Sequence, residues 1–143
     1  MELKDRDAGI KPAATDLLPR ALCPRFRFTI LQMTKEDYFE YAVNAFGEDK
    51  LDESIEMYKK ALELDPQYQD ALHGLGMSLH NRGRLDEAVE TAKRLVAIDP
   101  DDILAHTSLS MFYQAQGRIE EAEKEGNAAR VLGWKQELRK DPK

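Results

Sequence analysis

The sequence predicts an all-α chain of antiparallel helix pairs stacked one on the next. Three observations carry this. The stretch Leu51-Asp52-Glu53-Ser54 returns as Leu85-Asp86-Glu87-Ala88 and as Ile119-Glu120-Glu121-Ala122, 34 residues apart each time. A fixed period of this length marks a repeat array. Within each period apolar residues follow helical spacing, as Leu51, Ile55, Tyr58 and Leu62 do at i, i+4, i+7 and i+11, which places them on one helix face. Chain breakers fall at matching places, Gly83 with Gly117 and Asp65-Pro66 with Asp99-Pro100.

Thr34 is a good N-cap for a first helix over about 35–46, with Asp37 three residues on as a capping-box partner. Gly47 is expected to let the chain turn. The second helix starts near Leu51, where Asp52 and Glu53 favour the positive end of the helix dipole. Pro66 ends it, since the residue before a proline is pushed away from helical geometry. The third helix covers about 69–82, with Gly83 at the turn. The fourth covers about 85–98 and buries Leu85, Val89, Ala92 and Val96. The fifth covers about 103–116, with Gly117 at the turn, and the sixth about 119–132, stopped by Gly133.

Three units follow, 35–68, 69–102 and 103–136, with a short capping tail over 137–143. On the sixth helix Glu123, Gly126 and Arg130 stand where earlier units have Ile55/Val89, Tyr58/Ala92 and Leu62/Val96. The face that would bury a further unit has turned polar, so the array is expected to end there. Trp134 and Leu138 are four residues apart. They are expected to lay a partial seventh helix over the remaining apolar surface, with Trp134 as a capping side chain.

Residues 1–33 read as an irregular or disordered leader, because Gly9, Pro12, Pro19 and Pro24 break helices and no period is sustained. Met33 lies just before the first helix signal, so an upstream extension with translation starting at Met33 is the plain alternative. Arginines suggest a transit peptide, but Glu2, Asp5, Asp7 and Asp16 oppose it. The segment Phe26-Arg27-Phe28-Thr29-Ile30-Leu31 is apolar enough to dock.

Residues 33–143 carry 15 basic and 23 acidic groups, a balance that disfavours nucleic acid or an anionic membrane as partner. No apolar run approaches the ~18 residues of a membrane span. The single Cys23 makes no internal disulfide, and a cytoplasmic location is expected. There is no glycine-rich phosphate loop, no His-Glu-x-x-His and no cysteine pair. The expectation is therefore a chain that is not an enzyme and holds no cofactor. The repeated acids Asp52, Glu53, Asp86, Glu87, Glu120 and Glu121 read as dipole partners rather than acid–base pairs. His73, Met77 and His80 share a helix face, with Met111 in register one unit later. Imidazole with thioether makes a soft-metal carrier an alternative.

The units resemble the tetratricopeptide repeat (TPR) family, whose unit has a W-x2-L-G-x2-Y…A-x3-F…P pattern. The second unit has Leu72-x2-Leu75-Gly76-x2-Leu79, then Ala88, Ala92 and Pro100. The first has Tyr38-x2-Tyr41-Ala42-x2-Ala45, then Ser54, Tyr58, Ala61 and Pro66. The third has His106-x2-Leu109-Ser110-x2-Tyr113, then Ala122, Ala129, and Trp134 where the proline would fall. The resemblance implies a short right-handed superhelix. It also implies a concave face, formed by the first helix of each pair, that holds a peptide or helix of another protein.

Carried over by register, that face is lined by Phe39, Val43 and Phe46; by His73, Met77, His80 and Asn81; and by Leu104, Thr107, Met111 and Gln114. A mostly apolar lining suits a hydrophobic or amphipathic segment. The carboxylate-clamp subgroup needs Lys, Asn and Arg facing the groove; here the places hold Phe39, Val43, Gly74, Leu104 and Ser108. The expected function is thus an adaptor, scaffold or assembly factor that does not grip acidic chaperone tails. A self-associating structural subunit, joined at the N-terminal side of the first pair, is the further alternative.

Overall fold

Thr34 starts the first helix with both halves of a capping box. Its hydroxyl accepts the Asp37 N–H at 3.1 Å, and its own N–H donates to the Asp37 carboxylate at 3.0 Å. The computed structural model describes residues 33–140. The readings made of residues 1–32, including docking of Phe26–Leu31, lie outside them. The described residues form six helices: α1 Lys35–Gly47, α2 Leu51–Leu64, α3 Gln69–Arg82, α4 Leu85–Ile98, α5 Ile103–Ala115 and α6 Ile119–Lys140. No strand occurs among the described residues.

Each helix packs on the next along the chain, and α1 also touches α3 as α3 touches α5. No comparable contact joins α2 to α4 or α4 to α6. First helices therefore form a close inner layer, and second helices splay apart outside it. This difference curves the stack and makes the side formed by α1, α3 and α5 the concave one.

The core joins residues from all three units. Ile55, Tyr58, Leu72, Leu79, Leu95 and Phe112 are buried, each side chain contributing about 1.5–3 kcal/mol. On α4, Leu95 is fully covered where Val96 was expected, and Leu85 and Val96 are half-buried. Both α3 and α5 pack against α4, so its buried face is wider than one stripe and takes in Ala88, Thr91 and Leu95.

Two turns recur within the units. Gly83 and Gly117 adopt left-handed geometry at φ 87° and 80°. In the first unit that place is taken by Asp49 at φ 63°, not by Gly47, which is the last residue of α1. Aspartate tolerates this region better than most side chains. Between units, Asp65 and Asp99 are extended before their prolines, and their carboxylates accept the N–H of Gln67 and Asp101.

Gly133 does not stop the last helix. α6 runs through it for 22 residues to Lys140, so there is no separate seventh helix. A helical glycine costs only about 1 kcal/mol, and no proline follows until Pro142. Nor does Trp134 cap the array: it is 66% exposed, on a 22-residue helix that outlasts the 13-residue α5 it packs against. Glu123 and Arg130 are exposed as expected, while Ala122 and Ala129 pack inward.

Gly74 leaves room for Tyr58. A Cβ there would lie 2.2 Å from the Tyr58 ring, whereas one at Gly47 meets nothing within 4 Å. Gly74→Ala is expected to lower stability by about 1–3 kcal/mol through overpacking, and Gly47→Ala to leave it unchanged or raised. Urea denaturation of both variants checks this.

Candidate functional site

Concave-face residues divide into those the core holds and those it leaves open. Phe39 is half-buried, its ring centroid 5.8 Å from Tyr58 and 5.4 Å from Tyr68. Phe46 is half-buried, and Met77 and Met111 pack partly against the core. Val43 and Leu104 are 43% and 56% exposed. Asn81, Thr107 and Gln114 are exposed, and the Thr107 hydroxyl donates back to the Ile103 carbonyl at 2.9 Å.

The two histidines are engaged. His73 Nε2 lies 3.0 Å from Asp102 Oδ2. The other Asp102 oxygen accepts the Leu104 N–H at 2.9 Å and caps α5. A carboxylate only accepts, so Nε2 carries the proton. Asp102 thereby ties α3 to the start of α5. His80 stacks on Phe112 at 5.2 Å and 27°, with Nδ1 3.3 Å from Asn81 Oδ1. The four side chains of the soft-metal alternative thus have other partners. Among the described residues no three His, Cys, Asp or Glu side chains converge on a metal-sized position.

The rim of this face is acidic. Glu36, Glu40 and Asp70 are exposed. Glu36 and Asp70 stand three residues before Phe39 and His73, and Glu40 three before Val43, spacings that put each pair on one helix face. Lys35 is turned to Asp65 and lies 4.8 Å over the Tyr68 ring. Helix α5 carries no Lys, Arg, Asp or Glu.

Other polar residues hold the units in register, and the sequence reading missed their roles. The repeated acids do more than face the helix dipole. Asp52 accepts from Arg82 at 3.0 Å and Asp86 accepts from Gln116, both partners lying 30 residues on in the next unit. Glu87 and Glu121 pair with Arg84 and Arg118, three residues before them. The matched separation of 30 is the signal that would have found the first set.

His106 was read only as a pattern position. It is buried, with Nδ1 2.7 Å from Glu125 of α6 and Nε2 2.8 Å from the Pro100 carbonyl. Both partners are acceptors only, so the arrangement is satisfied by an imidazolium donating from both nitrogens. Burial pushes the ring toward its neutral form. Hydrogen bonds to Glu125 and Pro100 outweigh that and hold the pKa above the ordinary histidine value.

Two family models, each described as tetratricopeptide repeat, match residues 45–111 and 103–123. None of the curated proteins compared with the sequence matches it. Among solved structures, a crystal structure of MamA is 27% identical with a TM-score of 0.72, over 76% of this chain and 64% of that one. The chain thus spans less than two thirds of that MamA chain. YrrB, described as a TPR protein with an unusual peptide-binding site, is 20% identical at a TM-score of 0.66, over 69% and 51%. The second TPR of Spaghetti, bound to an HSP90 peptide, is 17% identical at 0.66, over 71% and 93%. The last two show likeness of fold alone.

A raised folded-state pKa at His106 sets the sign of a pH effect. Its contribution is fully present below the unfolded value of about 6.5 and is lost as pH rises through the folded value. Urea midpoints of the native chain are expected to fall as pH rises from mildly acidic to mildly alkaline. In His106→Gln that fall is expected to be smaller.

Proposed function

The chain belongs to the tetratricopeptide repeat family, and from that premise we propose that it is a non-catalytic interaction module whose concave face holds a peptide or helix of another protein. The observation that carries this is the inner layer. Val43 and Leu104 stand open beside the half-buried Phe39, Phe46, Met77 and Met111, on a face that none of the described helices covers. Apolar floor with an acidic rim suits a segment with apolar anchors and basic flanks.

The same face lacks what an acidic C-terminal tail needs. The clamp places hold no cation, Gly74 lies under the Tyr58 ring, and Ser108 is buried. An acidic C-terminal tail is therefore not the proposed ligand, although Spaghetti's second TPR is bound to an HSP90 peptide. Scaffold or adaptor work in the cytoplasm is part of the same proposal. Among the described residues no helix is long and apolar enough to cross a membrane.

The test uses exposed positions, because Phe39 is tied into the core through Tyr58 and Tyr68. Val43→Glu/Leu104→Glu is expected to melt like the native chain and to lose at least about tenfold in capture of crosslinked partners, as truncated anchors do. An unchanged partner list places binding elsewhere.

A further inference from the structure

Helix α6 differs from the others in length and in covering. It has 22 residues against 13 or 14, and it packs on α5 with no comparable contact to any other described helix. From Trp134 to Lys140 every residue is exposed. Val131, Trp134 and Leu138 are 44%, 66% and 72% exposed. Their spacing of i, i+3 and i+7 aligns them as one apolar stripe, the anchor pattern of a helix that lies in a groove.

The charge around that stripe is opposite to the charge of the rest. Residues 33–129 hold 10 basic and 21 acidic groups, while 130–140 holds Arg130, Lys135, Arg139 and Lys140 against Glu137. A basic, tryptophan-bearing helix end therefore extends from an acidic body. That body carries an apolar inner face rimmed by Glu36, Glu40 and Asp70. The sizes match as well. Three helices side by side at 8–10 Å span about 20 Å, and ten residues of helix from Val131 to Lys140 are about 15 Å long.

We propose that the exposed end of α6 docks into the concave face of a second copy of this chain, head to tail, with Trp134 as its anchor. This rests on the reading of the concave face as a binding surface. Charge selects the occupant. An anionic lipid surface attracts the helix end but repels the larger acidic body, whereas a second copy offers acids and apolar side chains together. The contact is heterologous: each copy presents one donor helix and one acceptor face, so assembly continues from copy to copy.

Trp134 is the only tryptophan, so its emission reports its own burial. In full-length protein taken from nanomolar to high micromolar concentration, emission is expected to shift to the blue as sedimentation velocity shows growing species. Added salt is expected to reverse both. Trp134→Glu and Val43→Glu/Leu104→Glu are each expected to sediment as monomers. Mixed, they are expected to give a 1:1 dimer and nothing longer, because one intact helix end then meets one intact face. Melting curves equal to the native chain exclude misfolding, all three sites being exposed.

A native chain that stays monomeric throughout overturns the proposal. So does a groove variant that still self-associates, a mixture that stays monomeric, or an emission already blue at the lowest concentration, which means that Trp134 is covered within its own chain. Binding to phosphatidylserine vesicles by a chain that is otherwise monomeric assigns the stripe to lipid and also overturns it. If only self-association fails while the groove variant loses crosslinked partners, the concave reading stands. If that variant keeps those partners, the concave reading falls too.

Discussion

Everything in this stack depends on how closely the two helices of each pair approach. The contact is made where Ala42 meets Ser54 and Ser110 meets Ala122, and where Gly76 faces Thr91 of α4. In the first pair the Ser54 hydroxyl, on α2, donates to the Ala42 carbonyl of α1 at 3.0 Å. In the third the bond is reversed: Ser110, on the first helix, donates to the Ala122 carbonyl of the second at 2.6 Å. Neither side chain is larger than a hydroxymethyl group, and each hydroxyl is satisfied by a carbonyl already present. At the second pair a Cβ on Gly76 would come within 3.2 Å of the Phe112 ring of the next unit. The missing side chain there serves packing between units as well as within one.

The Ser54 bond has a further effect. Ser78 lies 3.0 Å from Ser54 and both are fully buried. Since the Ser54 proton is committed to Ala42, Ser78 must be the donor to Ser54. Three helices are thus joined by two hydrogen bonds of fixed direction. A buried hydroxyl without such partners costs about 1–3 kcal/mol, so these serines hold a specific register of α3 on the first pair. Between units the same task falls to exposed pairs, Arg82 with Asp52 and Gln116 with Asp86. Individually these contribute about 0–1 kcal/mol, and their main effect is to align neighbours.

The fold was legible because the repeat writes it three times. Apolar spacing, the Asp-Pro turns and the capping box at Thr34 are local signals, and each produced the element it predicted. The misses share another cause. Gly47 is the stronger local turn signal, yet Asp49 makes the turn, at the place the unit register points to. Gly133 reads as a stop although nothing near it forces one. His106 and Glu125 are 19 residues apart on different helices, and no local pattern announces such a pair. The concave face was legible only as positions. Which of them the core occupies, as with Phe39 against Tyr58 and Tyr68, depends on packing that one sequence does not display.

The restriction of α6 to a single neighbour has a consequence for cooperativity. In a linear stack each helix is held by what lies on either side, and α6 has α5 on one side only. Opening it breaks one interface, including the His106–Glu125 bond, and leaves the remaining pairs intact. Amide exchange should therefore be graded along the chain, fastest in α6 and slowest near α3, where both flanks are covered. Among the described helices, the one with the most exposed large apolar side chains is also the one expected to open first, so local fluctuation and surface chemistry are concentrated in the same helix.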